Sequence, residues 1–562
     1  MLRGLIPLLV IGVALLAAAR PSYAEDGADL ILEHGVFYPV QPPGPIEGSL
    51  AIRGGRIVYL GPDAGAASFR GPRTKSIDLA GRTVTPGLID AHSHLVGLGQ
   101  ALAAVDLTAA STFEEIVRRV REAATKVPAG TWVGGRGWDQ NLWPDKEFPT
   151  HEALSAAVPD HPVWLTRVDG HAALVNAKAM EILKIDANVQ DPSGGRFLRS
   201  TGDGQGRPTG VMIDNAMDTV GSRLPAPTVQ DRERELRAAA KHCLERGLTT
   251  VTDMGVGAAE VAAYTNLRHA GELPLRSALF LGDDEQWLSM WFERGPQIDP
   301  EARLLIRGVK LYVDGALGSR GAALLEPYSD DANNLGLLVS SGDHLADVSR
   351  RAVQAGFQVG IHAIGDRGGV VAIDAMERAL GGPKPEARFR LEHTQILRVQ
   401  DIARMAKLGI IASMQPTHAT SDMPWADERL GERRLEEAYA WRKVLDAGGR
   451  LALGSDFPVE SADPRLGLYA AVTRQDLSGQ PAGGWLPGER LTREEALRGF
   501  TLDAAWSVFL EKEVGSLEVG KRADLVVFAR DVMKVPEKEI PQVEVDYTLV
   551  DGKVAYERSP AR

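Results

Sequence analysis

The stretch Thr85-Pro86-Gly87-Leu88-Ile89-Asp90-Ala91-His92-Ser93-His94 decides how the rest of the chain is read. It reads as one apolar run, Val84 to His94, that ends in polar groups. On a strand, residues two apart share a face, so the imidazoles of His92 and His94 can grip one ion. Seven more short apolar runs follow, most of them ending in polar or charged residues: Leu248 to Asp253, Arg276 to Leu281, Gly308 to Asp314, Val359 to His362, Arg390 to His393, Ile410 to Gln415 and Leu451 to Asp456. Helical patterns separate them, which predicts parallel strands joined by crossover helices, and eight such units make a (β/α)₈ barrel.

The ends of these runs carry the chemistry. His362, His393 and Asp456 each close one, as His92 and His94 do, although the whole chain holds only 12 histidines. Metal ligands at the carboxyl ends of barrel strands stand where such folds build active sites. Lys310 lies on the fourth run and admits two readings. It can pair with Asp314 or another carboxylate, or, desolvated and neutral, it can react with carbon dioxide to give an anionic carbamate ligand.

The interval 95–247 is too long for a single crossover and predicts an insertion over the barrel mouth, with strand-like pieces at Trp132 to Gly134 and Val163 to Val168. Short strands before the barrel (Leu30 to Leu32, Ser49 to Arg53, Arg56 to Leu60) match material after it (Ala523 to Phe528, Val545 to Tyr556), where Asp551-Gly552 signals a hairpin turn. Neither end can bury a sheet face alone, so one β-sandwich built from both termini is expected. The resulting division is residues 1–24 as an export signal, 25–85 and 510–562 as the two parts of the sandwich, and 86–509 as the barrel.

The export reading rests on Arg3, the apolar run Leu5 to Ala19 and the small residues of Ser22-Tyr23-Ala24. It implies a bacterial periplasmic or secreted protein with no stable membrane span once the signal is cleaved; retention of the segment as an anchor is the alternative. A net charge of -12 and no basic run argue against nucleic acid as a partner. The single cysteine, Cys243, permits no internal disulfide and reads as a core residue.

The series TPGLIDAHSH (85–94), GRGWDQNLW (135–143), DGHAALVN (169–176), KLYVDGALGSRGAAL (310–324), HAIGD (362–366), LEHTQ (391–395), MQPTHATSD (414–422), LGSDFPVE (453–460) and GSLEVGKRADLVVF (515–528) resembles the amidohydrolase superfamily, in particular its amidohydrolase family 3 branch, which includes N-substituted formamide deformylases. The resemblance covers about 29–556. It implies a distorted TIM (β/α)₈ barrel with a composite β-sandwich, and hydrolysis of a non-peptide, amide-like C–N bond at one or two divalent ions, zinc first. Carried onto this chain, His92, His94, His362 and His393 are ligands, Lys310 is a bridging carbamate, and Asp456 is both ligand and general acid/base. Metal-activated hydroxide would attack the carbonyl, with Asp456 moving the proton to the leaving nitrogen.

Trp138, Asp139, His171, Arg320, His418 and Asp422 stand in the same motifs and are candidates to hold a small-molecule amide-like substrate, Arg320 as a clamp for a carboxylate. A homodimer is left open. Two alternatives are a mononuclear deaminase, which normally has a glutamate soon after the strand-five histidine where this chain has Ala363-Ile364-Gly365-Asp366, and an inert exported binding or regulatory protein that keeps the fold.

Overall fold

The computed structural model describes residues 27–200, 206–221, 223 and 227–559. The expected export signal lies outside them. Eight parallel strands make the central ring: β1 (Leu88–Ser93), β2 (Leu248–Val256), β3 (Arg276–Leu281), β4 (Leu304–Tyr312), β5 (Gln358–Ala363), β6 (Arg390–His393), β7 (Ile411–Met414) and β8 (Leu451–Leu453). Each pairs in parallel with the next from β1 to β8. No ladder joins β8 to β1, and the seam is held by a few directed bonds instead. Asp456 N–H donates to His92 O and His94 N–H to Phe457 O, both at 2.8 Å, while the Asp90 carboxylate accepts from Ser455 N–H and Oγ. A Cβ on Gly454 would lie 2.5 Å from Asp90 Oδ1, so the two strands approach this closely only at a glycine.

The run from Val84 to His94 proves to be two strands. Thr83–Pro86 pairs antiparallel with Leu525–Phe528 in the terminal domain, and β1 begins only at Leu88. Gly87 sits between them against Thr249, whose side chain leaves no room for a Cβ. The terminal domain is one eight-stranded ladder made from both chain ends. Its edge strand Arg56–Gly61 folds back onto the segment that leads into Leu525–Phe528, where Ile57 N–H donates to Lys521 O and Ala523 N–H to Gly55 O. Curled in this way, it buries Leu32, Leu50, Ile52, Val84, Leu525 and Leu549 in a single core.

Between β1 and β2 the insertion forms a six-stranded sheet, including Val133–Trp138 and Val163–Arg167, with an apolar core on each face. Cys243 is fully buried on the helix Val229–Leu244 that packs behind β1 and β2, and burial pushes its thiol well up from the usual value. Among the described residues no helix is long and apolar enough to cross a membrane.

Candidate metal centre

The carboxyl ends of the eight strands form the mouth, and the insertion hangs over it. His92, His393 and Asp456 offer ligand atoms that all lie within 4.8 Å of one another. His94 Nε2 stands 3.1 Å from Asp456 Oδ1, and His92 Nε2 stands 3.5 Å from the same oxygen. His362 joins through ring contact with His393, the centroids 4.6 Å apart, and Lys310 Nζ lies 3.4 Å from His92 Nε2. The six side chains read from the sequence as ligands therefore share one site.

The backbone bends to achieve this. In β6, Arg390 and Glu392 share one face of the strand, and alternation would send His393 the other way. His393 instead takes φ 71° and Asp456 φ 61°, left-handed values that ordinary residues avoid. Such strain concentrates at functional sites, held in place by the structure around it.

Orienting partners fix the tautomers. Glu392 Oε2 lies 2.6 Å from His92 Nδ1 and Met254 O lies 3.1 Å from His94 Nδ1. Both partners accept, so each Nδ1 carries the proton and each Nε2 turns a lone pair towards Asp456. His393 Nδ1 meets Gln415 Oε1 at 3.0 Å in the same manner. For His418 the partner is Gln395 Nε2, a donor at 3.0 Å, which leaves an Nε2–H that has no hydrogen-bond acceptor and lies 3.8 Å from Asp456 Oδ2.

Electrostatics reinforce this assignment. Burial, and then the charge of Lys310, hold His92 down to about 4, and burial holds His362 and His393 well below the usual imidazole value. All three are neutral at working pH, as ligands must be. Lone pairs facing a carboxylate whose Oδ1 accepts no hydrogen bond are a repulsive arrangement that a cation resolves. The donor set fits a divalent metal.

Lys310 is buried and forms no ion pair among the described residues; burial lowers its amine to about 8. Asp314, the expected alternative partner, is committed to the backbone N–H groups of Ala323, Ile364 and Gly365.

The candidate substrate contacts divide. His171 reaches the centre, its ring 5.1 Å from that of His362, and its hydrogen bond with Asp214 (2.7 Å) overcomes burial to raise it to about 9. His418 and Asp422 also line the mouth, although Asp422 accepts a hydrogen bond from Tyr439 (2.6 Å). Trp138 does not: it is buried in the insertion core against Trp143, its indole N–H spent on Leu165 O, because the side chain needs more apolar cover than the mouth provides. Arg320 does not either, being paired with Asp330 at 3.0 Å. Asp139 lines the cavity but is bound to Arg167.

Sequence reasoning missed the groups beneath the ligands. Arg390 and Glu392 are fully buried, with Arg390 Nε 2.8 Å from Glu392 Oε1, and Gly360 leaves the room that Glu392 occupies. Two opposite charges within a four-residue interior strand were the available signal.

Two cavities of about 660 and 680 Å³ open onto the centre and share Asp169, His171, His362, His393 and Asp456. The amidohydrolase family profile matches residues 75–556. Protein LONG AFTER FAR-RED 3 of Arabidopsis thaliana is 34% identical over 94% of this chain and 92% of its own length. The N-substituted formamide deformylase of Arthrobacter pascens is 30% identical over 91% of this chain and 95% of its own. An uncharacterized metal-dependent hydrolase from Pyrococcus furiosus superposes with a TM-score of 0.71 at 32% identity, covering 90% of this chain and all of that one.

Proposed function

This chain belongs to the amidohydrolase family and is a metal-dependent hydrolase, and from that premise we propose that it cleaves an amide-like, non-peptide C–N bond of a small molecule. The observation that carries the reading is the convergence of His92, His393 and Asp456 within 4.8 Å beside Lys310, which is buried without an ion pair among the described residues. The printed activity of the Arthrobacter relative supports the choice of bond.

His92, His94, His393 and Asp456 would hold one divalent cation, and His362 with Lys310 would complete a second position. Nitrogen and carboxylate donors without a thiolate suit zinc or manganese. When bound, the metal supplies Lewis acidity, easing the ionisation of water towards neutral pH and polarising a carbonyl.

The remaining steps belong to the protein. Asp456 accepts a proton from the attacking water and returns it to the leaving nitrogen, which cannot depart as an amide anion. His171, protonated at neutral pH through Asp214, and the free Nε2–H of His418 present positive charge and a donor to the oxygen that becomes negative. The neutral fraction of Lys310 adds its Nζ to the carbon of carbon dioxide and sheds one proton, leaving an anionic carbamate.

Protein reconstituted with zinc or manganese is assayed against N-substituted formamides, N-acyl amino acids and cyclic amides. Turnover of at least one class, lost on chelation, is expected; failure of all three in metal-loaded protein overturns the bond assignment and moves esters forward. Two ions per chain, with a carboxyl group on Lys310, support the dinuclear form, and one ion with an unmodified lysine sinks it. Export belongs to the same proposal, and N-terminal sequencing of the native protein tests it: a mature chain starting at Glu25 is expected, and one retaining residues 1–24 overturns cleavage.

A further inference from the structure

Arg136 lies on the insertion strand Val133–Trp138 and lines the same 680 Å³ cavity as His94, Lys310, His171 and Asp456. A guanidinium has five N–H donors. Among the described residues only one protein group takes a hydrogen bond from this one, Val168 O, which accepts from Nη2 at 3.1 Å; Nε is buried with no partner. Among the described residues no carboxylate lies within ion-pair distance of it. The nearest acids are engaged elsewhere: Asp169 gives one oxygen to Arg167 (2.5 Å) and the other to the backbone N–H of His171 (3.0 Å), while Asp456 stands among the imidazoles.

Arg167, the other arginine facing the mouth, shows what a structural arginine looks like here. It is 1% exposed and bound to Asp139, Asp169 and Gln140. Arg320, the arginine whose sequence position suggested a clamp, is ion-paired with Asp330. Arg136 alone of the three keeps its charge uncompensated, and desolvating a cation without a partner costs several kcal/mol unless a ligand supplies the anion.

We propose that Arg136 is the anion-recognition residue of the cavity, and that the substrate carries a carboxylate which its guanidinium grips while the scissile amide faces the metal centre. The planar fork of donors matches a carboxylate. Burial lowers the Arg136 pKa somewhat from its usual value, yet the group remains a cation at any working pH. The substrate class is therefore an N-acylated amino acid or a comparable acidic amide. The proposal rests on the hydrolase reading for the bond that is cut, but not for the binding itself.

A binding experiment separates the two. In the metal-loaded Asp456→Asn protein, where chemistry is stopped, calorimetry compares N-acetylglycine with N-acetylglycinamide. The carboxylate is expected to bind about 10- to 100-fold tighter. Arg136→Gln in that background should remove most of this preference by weakening N-acetylglycine, with the neutral amide shifted far less, and Arg136→Lys should restore part of it. Three outcomes overturn the proposal: no preference for the carboxylate in the parent, an unchanged preference in Arg136→Gln, or equal weakening of both ligands. The last would make Arg136 a prop for the Val168 turn. Absence of turnover with a preserved, Arg136-dependent preference would overturn the amide reading and leave the anion site standing.

Discussion

Buried charge occurs at both ends of the barrel, and the two clusters are finished differently. At the base, Arg276 opens β3 with no exposure and divides its guanidinium between Asp524 (2.6 Å) and Asp551; Arg303 and Arg522 also reach Asp551, whose backbone N–H donates to Asp524. No buried side-chain nitrogen or oxygen of these five residues lacks a partner, whereas at the mouth Asp456 Oδ1, His418 Nε2 and Asp214 Oδ2 are buried with none. Desolvation at the base is offset from within, by ions that join barrel to terminal domain. At the mouth these three atoms are left for a cation and a substrate to offset.

The sharpest break in this comparison comes at Asp456. Asp456→Asn keeps the shape and, since asparagine tolerates a left-handed backbone, keeps φ 61° as well. Turnover should fall about 10³- to 10⁴-fold with the melting temperature unchanged or raised. A mutant retaining a tenth of the activity would remove Asp456 from the chemistry.

At the base the same removal of one charge should act on stability alone. Arg276→Met strands Asp524 and Asp551 without their shared partner, a loss of about 3–5 kcal/mol in denaturant unfolding. Activity per folded molecule should stay within error, and a matching fall in kcat would show that the two ends are coupled.

Glu392→Gln probes the boundary between the two kinds of cluster, because Glu392 is ion-paired with Arg390 yet orients a ligand. Losing the charge on the His92 Nδ1 proton should weaken metal affinity about 10- to 100-fold, measured by competition with a chelator. Unchanged affinity would place Glu392 with the base, as a purely structural ion.

These contrasts also define what the sequence could reveal. The strands were legible because apolar runs broke into ligand-type residues at one end, and the insertion because no crossover needs the length of 95–247. The division of Val84–His94 had its signal in the turn dipeptide Pro86-Gly87, which the apolar residues on either side obscured. Residue type alone could not separate Arg136 from Arg320; what separates them is Asp330, which pairs with Arg320. Trp138 carried the same ambiguity, a large ring suited to a cavity wall or a core, settled by Trp143 and Leu165 O. Pairing is a tertiary property, and the satisfied or unsatisfied state of a charge appears only once the chain is folded.

The smallest expected effect lies at Asp551, where the base cluster meets the hairpin turn Asp551-Gly552. Burial would raise this carboxyl, but Arg276 and Arg303 outweigh burial and hold it below the usual value. A depressed carboxyl contributes stability above its unfolded pKa, about 3.9, and loses it as pH falls through the lower folded value. Asp551→Asn, which keeps the turn because asparagine accepts φ 49°, should therefore cost about 2 kcal/mol at pH 7. The gap between wild type and mutant should be constant down to about pH 5 and narrow below about pH 4. A gap of the same size at pH 3 would assign the loss to turn geometry, and the base would then owe its stability to packing more than to its compensated charge.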